Sequence, residues 1–239
     1  MQAMIFAAGM GTRLKPLTDV IPKALVPVGD KPLLQLTVER LMQSGVGRIV
    51  VNVHHKAGQI RNFLSLLSSL PLSMSISDES EQLLDTGGGI RKARHLFSPD
   101  EPVLIHNVDI LSNANISEIY RALGNDDALL LVSERKTKRY LLFSDDMRLV
   151  GWTNIETGEV KTPYENLDVK SCHQLAFSGI HVIGQRLLAD MDEWEDRFPI
   201  IDFYLKSCAE RTIRGYIQPG LKLLDVGKLD TLSEAETFL

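Results

Sequence analysis

Cysteine is scarce in this 239-residue sequence: only Cys172 and Cys208 occur, far apart and with no second cysteine at metal-ligand spacing. That argues against a disulfide scaffold and a cysteine-held metal, and predicts two reduced, buried thiols of an intracellular protein. Long apolar runs are missing as well. The opening segment QAMIFAAG is far too short to span a bilayer and has neither the charged start nor the cleavage site of a secretory signal. The expected compartment is therefore the cytoplasm, with no membrane partner. Positive charge is concentrated nowhere: the formal net charge is −5, and no stretch of Lys and Arg builds a continuous basic face. This argues against nucleic acid as a partner. Repeats, low-complexity tracts and linkers are also lacking, which predicts a single domain over 1–239, long enough to bury a real core. A monomer or small homo-oligomer is expected.

What is present is alternation. Apolar runs of strand length fall at 3–7, 48–53, 103–105 and 128–132, with helical periodicity between them. This pattern predicts βαβ units and an α/β fold with a Rossmann-like mixed, mostly parallel sheet flanked by helices. One helix is expected over 33–44, stopping at Gly45; another carries Ile60, Phe63, Leu64 and Leu67 on one face and is closed by SSLP. After about Leu149 strand-like segments alternate with polar turns, in GWTNIETGEVK and QLAFSGIHVI. Helices near 185–194 and 200–208, strands IRGYIQ and LKLLDV, and a last helix from Asp230 complete the expected order.

The segment FAAGMGTRLKPLTDVIPKALVPVG leaves the first strand through small residues and glycines, so that backbone N–H groups can approach phosphate oxygens. Arg13 and Lys23 add a guanidinium fork and a point charge, the combination that several adjacent phosphate charges need. The third glycine of a dinucleotide fingerprint and the Gly-Lys-Ser/Thr of a P-loop are both missing. Taken singly, these residues read as an ordinary turn and solvated charge. The full run G-x-G-T-R-x-x-P-x-T-x-x-x-P-K from Gly9 to Lys23 makes chance a poor account of them together.

Two aspartates follow apolar runs: Asp109 in HNVDIL and Asp225 in LLDVG. Ligands collect at the carboxyl ends of strands in open α/β sheets, and Mg2+ takes few carboxylates, several waters and phosphate oxygens. The blander reading of each is a cap or turn residue. Further on, SEQLLDTGGGIRKA places three glycines at the opening of a helix, where a flat base could lie against backbone.

With these motifs the sequence resembles the sugar nucleotidyltransferases, which join a nucleoside triphosphate to a sugar 1-phosphate and release pyrophosphate. It is most similar to the N-acetylmuramate 1-phosphate uridylyltransferases of cell-wall synthesis through LDTGGGI, FSGIHVI and LLDVGKLDTLSEAE, with mannose 1-phosphate guanylyltransferases as close rivals. The resemblance implies a nucleotidyltransferase or glycosyltransferase-A-like fold, with 1–133 as the nucleotide half and 134–239 as the sugar-phosphate half. It implies that Ala8, Gly9, Gly11, Thr12, Arg13 and Lys23 bind the triphosphate, with Arg13, Lys23 and Asp109 catalytic. Asp109 and Asp225 would hold Mg2+, although NVD stands where relatives have a glycine before the aspartate. Gln82 and Gly87 would read the base; an amide suits both uracil and guanine, so the base stays open. The Glu-Lys-Pro motif of many relatives is missing, and Asn154, Phe177 and Gly179 are the sugar-side candidates.

Other readings are weighed beside this one. The RKTKR run over 135–139 fits an anionic sugar substituent or a solvated loop face. His54 and His55 read as a cap or surface pair. A nucleotide-sensing domain without chemistry is opposed by the retention of Lys23, Asp109 and Asp225 together. A glycosyltransferase consuming a nucleotide sugar would carry Asp-x-Asp, but Asn107 precedes Asp109 by two.

Overall fold

A computed structural model describes residues 1–238; Leu239, the end of the expected domain, lies outside them. The chain opens with β1 (Gln2–Phe6), α1 (Leu17–Val20), β2 (Pro27–Val28), β3 (Lys31–Pro32), α2 (Leu33–Gln43), β4 (Arg48–Val53), α3 (Ala57–Leu66), β5 (Ser73–Asp78) and α4 (Asp85–Ala93). It continues through β6 (Val103–Asn107), β7 (Ile110–Ser112), α5 (Ile116–Ala122), β8 (Ala128–Ser133), β9 (Arg139–Phe143), β10 (Leu149–Asn154) and β11 (Glu159–Lys161). It closes with β12 (His173–Ile183), α6 (Gln185–Asp190), α7 (Ile200–Ser207), β13 (Ile213–Ile217), β14 (Leu223–Asp225) and α8 (Leu229–Phe238).

Ten strands form one mixed sheet in the order β11-β10-β9-β12-β6-β1-β4-β5, with β8 on β12 and β13 on β8. The ladders joining β6, β1, β4 and β5 are all parallel, as is β8 to β13. The 11-residue strand β12 runs antiparallel to β6, β8 and β9 and so joins the parallel part to the β9–β10–β11 meander. Side chains alternate across the sheet. Ala3 and Ile5 of β1 enter one core with α2, α3 and α5, whereas Met4 enters the other with α4, α6 and α7. Covering both faces is what turns these strands into continuous apolar runs, and it confirms the expected α/β class.

The end of α2 is a full C-terminal cap: Gly45 N–H donates to the Met42 carbonyl at 2.9 Å and Val46 N–H to the Leu41 carbonyl at 3.1 Å. Some elements differ from the pattern in the sequence. The helix expected to reach 194 ends as α6 at Asp190, with a 3-10 turn over Met191–Glu193, and LKLLDV narrows to three strand residues. Strand β5, with sequence SMSISD, carries no apolar run because it lies on the sheet edge. Of the two thiols only Cys208 is buried, which pushes it up to about 11; Cys172 is partly exposed, and both are free.

Candidate active site

The carboxyl ends of β1, β4 and β6 open onto a cavity of about 380 Å³ whose wall includes Ala8, Gly9, Asn52, Glu79, Lys23 and Asp109. One buried polar chain holds this end of the sheet together. Asn52, the last-but-one residue of β4, accepts the Ala7 and Ala8 N–H groups on Oδ1 at 2.7 and 3.3 Å. Its Nδ2 donates to Glu79 Oε1 at 2.8 Å, and Glu79 Oε2 accepts the Leu84 N–H at 3.2 Å. Glu79 is fully buried, and burial raises its carboxyl above the usual range against the pull of Asn52 and Leu84. Leaving any of these groups unpaired would cost about 1–3 kcal/mol.

Beyond Ala8 the loop turns out to solvent, with Gly9, Met10, Thr12 and Arg13 exposed. Gly11 has φ +63°, and a Cβ there would stand 2.8 Å from Thr18 Cγ2. Thr18 Oγ1 donates to the Gly11 carbonyl at 2.8 Å. Only glycine takes both the left-handed backbone and this approach without strain.

Lys23 reaches back from the end of the loop to Asp109, and its Nζ donates to Asp109 Oδ2 with both side chains largely shielded, 13% and 15% exposed. Asp225 arrives from far along the chain because β14 pairs antiparallel with β7, setting Asp225 opposite Ile110. The next residue, Val226, donates its N–H to the Asp109 carbonyl at 2.8 Å. A Cβ on Gly227 would stand 2.6 Å from both Arg13 Nη2 and Asp225 Oδ1, so guanidinium and carboxylate both crowd the space where that side chain would begin. Asp225 is exposed, yet partial desolvation and then the Asp109 charge raise its pKa, opposed by Lys23, Arg13 and Arg135. Arg13, Lys23, Asp109 and Asp225 thus share one electrostatic neighbourhood.

Two adjacent carboxylates suit a hard divalent cation that takes its remaining ligands from water and phosphate. Among the described residues no group of three or more His, Cys, Asp or Glu side chains is set to hold a metal.

Gln82 is exposed, and Gly87 is buried in α4 with its N–H donating to the Phe198 carbonyl at 2.8 Å. Cβ atoms on Gly87 and Gly88 would stand 2.1 Å from the Phe198 ring and the Asp196 carbonyl. The glycines therefore admit the chain's own 196–198 segment against α4. Phe177 lines a second cavity and accepts Arg135 Nη2 on its carbonyl at 2.9 Å. Gly179, with φ +75°, lies within the irregular stretch of β12 opposite β8 and beside Asn107. Asn154 ends β10 at the hairpin turn, with its Oδ1 accepting the Glu156 N–H at 3.0 Å. Among the described residues lining the two cavities, Gln82, Gly87 and Asn154 do not appear.

The sequence matches the family described as Nucleotidyl transferase over residues 2–239. This chain belongs to that family. Among its curated relatives, the N-acetylmuramate alpha-1-phosphate uridylyltransferase of Caulobacter vibrioides is 30% identical over 229 residues, covering 92% of this chain and 89% of the relative. Mannose-1-phosphate guanylyltransferase 1 of Arabidopsis thaliana is 30% identical over 146 residues, covering 59% of this chain and 40% of the relative. Two solved structures share the fold. UDP-glucose pyrophosphorylase complexed with UDP-glucose has a TM-score of 0.78 at 18% identity, over 99% of this chain and 97% of that one. HddC from Yersinia pseudotuberculosis complexed with GMP-PN has 0.77 at 20%, over 99% and 98%.

For a nucleotidyl transferase, the residues that sequence reasoning passed over are Asn52 and Glu79. Asn52 did carry a signal, as one amide inside the apolar strand RIVVNV. A buried polar residue in such a run needs partners, but its partners, the Ala7 and Ala8 amides, are more than 40 positions away.

Proposed function

We propose that this nucleotidyl transferase moves a uridylyl group from UTP to N-acetylmuramate 1-phosphate in the cytoplasm, as a single-domain monomer or small homo-oligomer. The observation that carries the reading is the Lys23–Asp109 pair in the cavity wall, with Val226 bonded to the Asp109 carbonyl and Asp225 and Arg13 both close to Gly227. The near full-length similarity to the Caulobacter vibrioides uridylyltransferase supports the choice of substrates. No described helix is long and apolar enough to cross a membrane.

In this mechanism an oxygen of the sugar 1-phosphate attacks the α-phosphorus in line. The new P–O bond forms as the bond from that phosphorus to the bridging oxygen breaks, and the electron pair leaves with pyrophosphate. The nucleophile is already an anion, so no general base is required. The obstacle is repulsion between two polyanions, which Lys23 offsets at the reacting phosphates and Arg13 at the departing pyrophosphate. Mg2+, when held by Asp109 and Asp225, supplies further charge offset to phosphate oxygens. Ala8, Gly9, Gly11 and Thr12 shape the loop around the triphosphate, and Phe177, in the wall of the second cavity, with Gly179, beside Asn107 of the first, is assigned to the sugar side; Gln82, Gly87 and Asn154, which line neither cavity, are given no substrate contact.

The test is pyrophosphate release across the four nucleoside triphosphates and N-acetylmuramate, N-acetylglucosamine, mannose and glucose 1-phosphates. UTP with N-acetylmuramate 1-phosphate should be fastest. A preference for GTP with mannose 1-phosphate would replace this reading by the guanylyl one, and silence in every well would point to a sensing domain.

A further inference from the structure

Past Pro199, which lines both spaces, a second cavity of about 390 Å³ adjoins the first. Its charged wall consists of Arg135, Arg139 and Lys161 against a single carboxylate, Asp202. Three positive groups minus one negative leave a formal +2 here, in a chain whose total is −5. Trp152 and Phe177 supply a broad apolar wall, suited to the less polar face of a sugar ring.

The cations are not interchangeable surface charge. Within the run over 135–139, Lys138 is paired with Glu156 at 2.6 Å and is not part of the cavity wall, whereas Arg135 and Arg139 line it. Arg135 is anchored by its bond to the Phe177 carbonyl, itself in the cavity wall. Lys161 is held from two sides, 3.2 Å from Asp202 and 5.4 Å from the centre of the Trp152 ring. Arg139 has no carboxylate partner among the described residues within ion-pair distance. Lys161 is already offset by Asp202, so with a 1-phosphate at Arg135 it is Arg139 that is left facing the cavity without a carboxylate of the protein's own.

We infer that this cavity selects sugar 1-phosphates carrying a carboxylate: Arg135 meets the 1-phosphate, and Arg139 with Lys161 meets the acidic substituent of the ring. This rests on the transferase reading above and adds the residues that set its sugar specificity. An arginine fork opposite a carboxylate gives geometric as well as electrostatic selection, and a site built for that anion rejects the sugar that lacks it.

The experiment compares N-acetylmuramate 1-phosphate with N-acetylglucosamine 1-phosphate, which lacks the lactyl carboxylate, in native protein and in Arg139→Gln, Lys161→Gln and Arg139→Lys. Native protein should favour the acidic sugar by at least about tenfold in kcat/KM. That ratio should fall on the order of tenfold to a hundredfold in each Gln variant, through KM for the sugar phosphate, with Arg139→Lys recovering part of it. If a variant does not fold, inhibition of the native protein by free N-acetylmuramate against free N-acetylglucosamine reads the same preference. Equal use of both sugars by native protein, or an unchanged ratio in folded Gln variants, overturns the inference while leaving the transferase reading standing. Absence of pyrophosphate with every sugar phosphate overturns both.

Discussion

Lys23 is the residue on which the proposed chemistry turns, because its ammonium already sits against Asp109 where the reacting phosphates would gather. Lys23→Ala should cut kcat by about 10²–10³-fold while costing only about 1–3 kcal/mol of stability, read by pyrophosphate release and thermal unfolding. Asp109→Asn and Asp225→Asn should each remove magnesium-dependent turnover; a full-rate variant in ordinary magnesium would refute its assigned role. Glu79 supports the site at one remove, by orienting the amide that holds the Ala7 and Ala8 N–H groups. Its carboxyl is raised by burial, so it binds its proton more tightly folded than unfolded. The stability it contributes is therefore present below the usual carboxylate range and is lost as pH rises through the raised value. Glu79→Gln has no such proton to lose. The melting temperature of the Gln variant relative to native protein should shift in the variant's favour between about pH 4 and about pH 7.5; a pH-independent difference would show that Glu79 is not strained by its charge. Lys23 and Asp109 were singled out in the sequence by residue type and motif, and the structure brings the two side chains together. Glu79 was not, since its role depends on an amide 27 positions earlier in the chain.

At the scale of elements, α4 inverts an ordinary rule. Alanine in place of a helical glycine usually stabilises by about 0.4–1 kcal/mol, and Gly58 in α3, where a Cβ would meet nothing within 4 Å, should follow it. Gly88→Ala should do the opposite, because its Cβ would stand 2.1 Å from the backbone carbonyl of Asp196. Overpacking of this kind costs about 1–3 kcal/mol or more, and each kcal/mol shifts melting by about 2–4 °C in a chain of this size. Melting temperatures moving in the same direction for both variants would sink this account of α4. The GGG run was read from the sequence as an approach path for a base, since glycine signals closeness to something. Which partner comes close is not written in the run itself, and here it is the 196–198 segment, more than 100 positions on.

For the whole molecule, the strands with the plainest apolar runs are those covered on both faces, β1, β4, β6 and β8, and all four were legible. The edge strand β5 and the three-residue β7 were not, because pairing at an edge or over a short span demands no apolar pattern. Strand β12 links the two halves by three ladders, and the carboxylates at 109 and 225 come together only because β14 returns to pair with β7. The sequence by itself determined the α/β class, the glycine-containing loop after the first strand and the charged residue types near it, since periodicity and ionic chemistry are local properties. Tertiary structure alone decided that two distant aspartates come together, that Asn52 and Glu79 brace the loop, and that Arg139 and Lys161 face one cavity. Those are distances between remote positions, set by strand pairing and core packing, and no local pattern encodes them.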